Sequence, residues 1–252
     1  MDYFSQEAKR SKSRTTKILI MNKDLLKDIV DWDITNWSKA IDYWEQNVDF
    51  SSENMLGLEL GGNKGGLSLL LAKNNCSVIC SDLNSPEEKA KELHKKHGVS
   101  HQIQYKAIDA TNIGFKNEFD IVIFKSILGG IAGNGKNHLF QKTVDEIYQS
   151  LKPGGQLLFS ENLESSFLHR FVRKRFVSWG ARWNYLKYKE IDGLFSQFET
   201  VTYQTVGFFG TFGRSEAQRR FLSKVDAVFS PVIPKSKKYI VYGIARKSRE
   251  EE

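Results

Sequence analysis

The sequence predicts an α/β fold, a mostly parallel sheet of seven strands with helices on both faces. Three observations carry this reading. From Leu56 onward, short apolar runs alternate with segments of helical period, as in strand–helix–strand units. The first unit turns through "LELGGNKGGLSLLLA", Leu58 to Ala72, and a glycine-rich turn after the first strand is a common nucleotide site. Two acidic residues, Asp82 and Asp109, close later apolar runs, at the carboxyl ends of strands where ligands of open sheets bind.

Taken in order, MDYFSQEAKRSKSR is polar and basic, without the apolar stretch of a signal peptide, and is expected to fray. Between Asn22 and Glu45, Leu25, Leu26, Ile29, Val30, Trp37, Ala40, Ile41 and Trp44 recur at helical spacing. Two helices are predicted, the second capped by Thr35. Trp37 and Trp44 share one face and are expected to cover the ligand cleft. Strands are predicted at Met55–Leu60, Ser77–Ser81, Ile103–Ile108, Asp120–Phe124, Gln156–Ser160, Glu199–Val206 and Tyr239–Ala245. Helices are predicted at Leu67–Ala72, Pro86–His97, Asn137–Leu151 and Ser215–Phe229. "LGGIAGNGKN", Leu128–Asn137, reads as a flexible loop on the substrate side. Ser165–Leu194 is basic, aromatic and helical in period, and the end from Lys247 reads as a loose tail.

The chain has 252 residues, of which 40% are hydrophobic and 27% charged, as expected of a globular protein with a sizeable core. No apolar run approaches the roughly 20 residues of a membrane span. Cys76 and Cys80 straddle a β-like run and read as two buried thiols rather than a disulfide or metal pair. A cytoplasmic location is expected. The net charge of +7 favours anionic neighbours such as nucleic acid, lipid headgroups or an acidic glycan.

Glu59 separates two kinds of ligand. It lies just before Gly61 at the end of the first strand, where a pyrophosphate would be repelled and a cation attracted. Asp82, about 20 positions beyond the glycines, can accept hydrogen bonds from both ribose hydroxyls. It can also cap the helix before Pro86. Asp109 can meet an adenine amino group or be a plain loop aspartate.

Together these stretches resemble the class I S-adenosylmethionine-dependent methyltransferases. "LELGGNKGG" resembles the family's acidic, glycine-rich first motif, "VICSDL" the second and "AIDAT" the third. "FDIVIFKSIL" resembles the fourth strand and "LKPGGQLLFSE" the turn and fifth strand. The resemblance implies a Rossmann-like fold and S-adenosylmethionine as cofactor. It places Gly61, Gly62 and Gly65 near the methionine part and Glu59 at its ammonium. Asp82 with Leu83 would lie at the ribose, Asp109 with Ala110 at the adenine, and Lys125 and Ser126 between cofactor and acceptor. Asn63 replaces the usual middle glycine, and asparagine tolerates left-handed backbone. Lys64 is expected to face solvent. On this reading residues 1–50 form a helical cover, 51–247 the methyltransferase domain with a basic insertion at about 165–195, and 248–252 a loose tail.

An alcohol acceptor needs its proton removed. Glu161 and His169 are the candidates, each with a plainer alternative as a cap or ion-pair partner and as a member of a basic helix. In that helix Phe167, Leu168, Phe171, Val172, Phe176 and Trp179 alternate with His169, Arg170, Arg173, Lys174, Arg175 and Arg182. Either its apolar face joins the core and its basic face is solvated, or it faces an anionic or lipid-bearing substrate. A looser resemblance to bacterial cell-surface saccharide methyltransferases implies an anionic or saccharide acceptor. Peripheral contact with the inner face of an anionic membrane goes with it. A nucleic-acid substrate is disfavoured, because "FKSI" stands where an Asn/Asp-Pro-Pro-Tyr tetrad would follow strand four.

Overall fold

A computed structural model describes residues 23–86, 88–176 and 182–249, without the side chains of Lys174 and Phe176. The strands are β1 (Leu56–Leu60), β2 (Ser77–Asp82), β3 (Ile103–Ala107), β4 (Phe119–Lys125), β5 (Leu151–Asn162), β6 (Thr200–Val206) and β7 (Ile240–Arg246). They form one sheet in the order β3-β2-β1-β4-β5-β7-β6. Only β7 runs antiparallel to its neighbours. The seven predicted strands are all present, and the sheet is the expected mostly parallel, Rossmann-like one.

Strand alternation explains the two-sided core. Ile121 and Ile123 of β4 pack on one face, and Val122 and Phe124 on the other. Helices α1 (Lys23–Val30), α2 (Ile34–Asn47), α3 (Gly66–Lys73) and α4 (Glu88–Lys96) follow the first part of the chain. Further on come α5 (Leu128–Ile131), α6 (His138–Ser150), α7 (Phe167–Phe176), α8 (Ile191–Leu194) and α9 (Glu216–Phe229). In α2, Trp37, Ala40, Ile41 and Trp44 are buried in the core that α3 shares, as their helical spacing requires. In α6, Phe140, Val144 and Ile147 fill the opposite core.

Several expectations change. Asp33, not Thr35, holds the position before α2, in left-handed backbone with φ 46°. Trp37 and Trp44 are buried in the core, and Trp44 Nε1 donates to the Gly243 carbonyl of β7. The cleft is bordered instead by the elbow Asp31–Trp32–Asp33. "LGGIAGNGKN" forms α5 and a 3-10 turn rather than an open loop. Its glycines make room for Trp183, since a Cβ on Gly129 would lie 1.9 Å from the indole Nε1. Lys247 is fastened by donating to Asn117 and to the carbonyls of Tyr148 and Leu151. Trp179 and the residues before Lys23 lie outside the described residues.

Cys76 and Cys80 are free and buried, as expected. Among the described residues no group of His, Cys, Asp and Glu could hold a metal ion. No described helix is long and apolar enough to cross a membrane.

Candidate active site

Strand order reverses between β1 and β4, and the crevice at such a switch point is where parallel sheets bind ligands. A cleft of about 610 Å³ opens there. Its walls are the glycine turn after β1, the α1–α2 elbow, Lys125 and Ser126 after β4, and Asn162 ending β5. Arg173, Trp183, Thr211, Arg219 and Tyr239 close the side beyond β5.

The glycine turn is built from backbone. Gly61, Asn63 and Gly65 all have positive φ (65°, 43° and 73°), so Asn63 takes the left-handed conformation expected of it. The Asn63 N–H donates to Asp82 Oδ2 at 3.0 Å, and Asp82 Oδ1 accepts from Leu83 N at 2.7 Å. A Cβ on Gly65 would lie 2.5 Å from the His94 ring, and one on Gly62 would lie 3.2 Å from the Glu59 carboxyl. The Gly65 Cβ position therefore faces His94 rather than the cleft. His94 Nε2 lies 2.8 Å from the Gly65 carbonyl, to which it donates. The sequence reading missed this support.

Glu59 is buried, yet it borders the cleft. Its carboxylate accepts from Leu67 N at 3.1 Å, Ser68 N at 2.9 Å and Ser68 Oγ at 2.5 Å. It thus caps α3, whose first N–H groups lack helical partners. Burial nevertheless pushes its pKa up to about 7. A cation in the cleft would favour the ionised form.

Lys125 also borders the cleft. Its ammonium donates to the Val30 carbonyl at 2.9 Å and lies 5.1 Å and 5.0 Å from the Trp32 and Trp37 ring centres. Burial lowers its pKa to about 8. Lys64, expected to face solvent, pairs with Asp31 at 2.7 Å on the cleft rim.

The remaining candidates divide. Gly61, Gly62, Glu59 and Lys125 line the cleft, whereas Gly65, Asp82, Leu83, Asp109 and Ala110 lie outside its lining. Asp109 Oδ1 holds its own turn by accepting from Thr111 N and Oγ1, both at 2.8 Å.

Neither proposed base reaches the cleft. Glu161 is buried and accepts from Leu128 N and Asn162 N, both at 2.8 Å, so it anchors the start of α5. Burial pushes its pKa up to about 7. His169 is also buried, with Nδ1 2.6 Å from Ser166 Oγ and Nε2 2.8 Å from the Phe208 carbonyl. Nε2 must donate to that carbonyl, and burial lowers the pKa to about 4. Both ring nitrogens are thereby occupied.

Two further features escaped the sequence reading. Asp33 is buried at the cleft, accepting from Tyr239 Oη at 2.5 Å and Asn36 Nδ2 at 3.1 Å, and burial raises its pKa to about 6. The polarity of α7 is also inverted. Its inward residues are His169 and Arg173, whereas Phe167, Leu168 and Phe171 are 74%, 51% and 57% exposed.

Comparison with known proteins supplies a domain match and a fold. Residues 58–159 match the family described as a methyltransferase domain. No curated protein sequence matches the chain. Among solved structures it is similar to a phosphoethanolamine N-methyltransferase of Haemonchus contortus bound to phosphomonomethylethanolamine and S-adenosylhomocysteine. That match has 17% identity and a TM-score of 0.58, covering 84% of this chain and 53% of the other. The chain therefore spans about half the length of that protein. It is also similar to the cyclase SpnF, with 16% identity and a TM-score of 0.60, covering 84% and 81%. A Bacillus halodurans C-125 protein assigned as a methyltransferase aligns with 17% identity and a TM-score of 0.57, covering 85% and 99%. At these identities the structural likeness establishes the fold. The domain match over residues 58–159 lies on this sheet with its acidic glycine turn, so the chain carries a methyltransferase domain on a class I fold, of the kind that takes S-adenosylmethionine.

Proposed function

We propose that the enzyme transfers a methyl group to a hydroxyl of a saccharide, carried on a lipid at an anionic membrane surface. The supporting observation is the inverted α7. Its inward Arg173 borders the half of the cleft beyond β5. Its outward Phe167, Leu168 and Phe171 stand in solvent beside the exposed Arg170 and Arg175. Aromatic and apolar residues flanked by cations characterise helices that lie in a membrane interface. Ser165 Oγ donates to the Lys237 carbonyl, which brings the basic loop Lys235–Lys238 and the exposed Val232 toward the same side. Trp183 offers an apolar plane to a sugar ring, and Ser126 and Asn162 offer hydrogen-bonding groups at the adjoining strand ends.

Bound cofactor supplies a methyl group on a cationic sulfur. The chain's task is alignment. Glu59 balances the cofactor ammonium, and the backbone of Gly61 and Gly62 borders the methionine part. On the open rim outside the cleft lining, Asp82 would accept from the ribose hydroxyls and Asp109 would meet the adenine amino group, with Ala110 and the exposed Leu83 flanking the base. Gly65 shapes the turn from behind. Tyr239 borders the cleft and donates to Asp33. An acceptor hydroxyl can therefore pass its proton to the Tyr239 oxygen while Tyr239 passes its own to Asp33.

The test pairs methyl transfer with vesicle sedimentation. With labelled S-adenosylmethionine, an isoprenoid-linked saccharide in vesicles containing phosphatidylglycerol should be methylated faster than the same saccharide released. Binding to those vesicles should fall with salt and in Phe167→Ser/Phe171→Ser. Equal rates on linked and released saccharide, with no vesicle binding, would refute the lipid-linked reading.

A further inference from the structure

We infer that Arg173 forms an oxyanion subsite in the acceptor half of the cleft, which takes a phosphate or carboxylate group of the methyl acceptor. The inference rests on the proposed placement of the acceptor beyond β5.

Arg173 is 5% exposed. A guanidinium stays charged even when buried, and an uncompensated buried charge is costly. Nη1 donates to the Leu163 carbonyl at 2.6 Å, and the guanidinium carbon lies 4.4 Å from the Tyr185 ring centre and 5.9 Å from that of Tyr239. Among the described residues no carboxylate lies within ion-pair distance of Arg173. Of its five N–H groups, one is accounted for by a protein acceptor. The nearby Glu161 acts on Arg173 only through space and accepts none of its N–H groups, because its oxygens are turned to Leu128 N and Asn162 N. The Tyr185 ring lies against the guanidinium and offers it a π face but no hydrogen-bond acceptor. The remaining N–H groups of Arg173, which borders the cleft, thus lack a protein acceptor, and an oxyanion in the cleft supplies one.

Position assigns the anion to the acceptor rather than the cofactor. Arg173 is tied to Leu163, immediately after β5, while the glycine turn follows β1. Two strand spacings separate β1 from β5, about 10 Å. Arg219 borders the same half but is already paired with Glu216 at 2.7 Å. It adds positive potential, whereas Arg173 holds the donors. A planar guanidinium meets carboxylate and phosphate with two parallel hydrogen bonds. The anion can therefore come from the phosphate that links a saccharide to lipid or from the carboxylate of an acidic sugar.

The test measures binding of inorganic phosphate and of acetate to protein saturated with S-adenosylhomocysteine, by calorimetry. At least one ion should bind. Arg173→Gln should weaken it by about ten- to a hundredfold, and Arg173→Lys, which keeps the charge, by less. S-adenosylhomocysteine affinity should stay unchanged in both. Binding by neither ion, or equal binding to wild type and Arg173→Gln, overturns the subsite. So does a parallel loss of S-adenosylhomocysteine affinity, which would assign Arg173 to the cofactor. If Arg173→Gln does not fold, Arg173→Lys carries the comparison, since loss of the paired geometry must still weaken the ion.

Transfer assays on glucose 1-phosphate, glucuronate and methyl glucoside distinguish the two anion sources. A preference for the phosphate or the carboxylate sugar that Arg173→Lys abolishes supports the subsite and names the source. Arg173-dependent phosphate binding without methylation of any saccharide would leave the subsite standing and remove the saccharide reading. Equal methylation of all three by wild type and Arg173→Lys would do the reverse.

Discussion

Glu59 offers a quantitative test of how the cofactor is held. In the cofactor-free protein, burial raises its pKa from 4.5 to about 7, which corresponds to about 3 kcal/mol in favour of the protonated form. A carboxyl whose folded pKa lies above its unfolded value contributes stability below the unfolded pKa. That stability is lost as pH rises through 7. A cofactor ammonium beside Glu59 reverses the preference and expels the proton. S-adenosylhomocysteine, which keeps the ammonium, should therefore bind about tenfold more weakly at pH 6 than at pH 8. Calorimetry in two buffers of different ionisation enthalpy should show about half a proton released near pH 7 and more at pH 6. Glu59→Gln should lose both effects. Its amide cannot accept from all of Leu67 N, Ser68 N and Ser68 Oγ, so stability should fall by about 1–3 kcal/mol. A flat pH profile in the wild type, or the same profile in Glu59→Gln, would refute the reasoning.

Asp82→Ala should weaken cofactor binding by about 1–3 kcal/mol, since the ribose loses a charged acceptor and Asn63 N loses its partner; unchanged affinity in a folded variant would remove Asp82 from the site. Gly65→Val should lower the melting temperature sharply, because its backbone has φ 73° and the new side chain meets His94. A variant with unchanged melting temperature but lost cofactor affinity would restore the view that Gly65 faces ligand.

The strands were legible because each is a local apolar run, and the βα alternation fixes their parallel order. The cofactor half was legible for the same reason: Glu59, Gly61, Gly62 and Asp82 lie in short motifs at strand ends. What escaped depends on contacts distant in sequence. Asp33 and Tyr239 are 206 positions apart, and nothing local to either announces the other. Periodicity found α7 but could not say which face meets the protein. The spacing of Phe167 and Phe171 suits a core helix, yet the neighbours below are Leu163, Tyr185 and Phe208, which offer carbonyls and rings to His169 and Arg173. One signal was available and unread. The paired Gly129 and Gly130 mark the close approach of a large group, here Trp183.

The Asp33–Tyr239 pair, if it takes the acceptor proton, separates the two steps of the enzyme by pH. The kcat profile reports groups in the loaded enzyme, where the cofactor has already ionised Glu59. Asp33, raised by burial to about 6, must be unprotonated to receive a proton, so kcat should fall below about pH 6. The Tyr239 hydroxyl is one of the hydrogen bonds that lower the Asp33 pKa against burial. Tyr239→Phe should therefore reduce kcat by about a hundredfold and move any residual acid limb to higher pH. Cofactor affinity should be unchanged, because Tyr239 lies beyond the glycine turn. Asp33→Asn should remove the limb altogether. A purely structural role would lower stability and leave the rate per folded molecule and its pH limb intact. That result in Tyr239→Phe would exclude the relay, and direct alignment of the acceptor oxygen with the methyl group would remain as the source of rate.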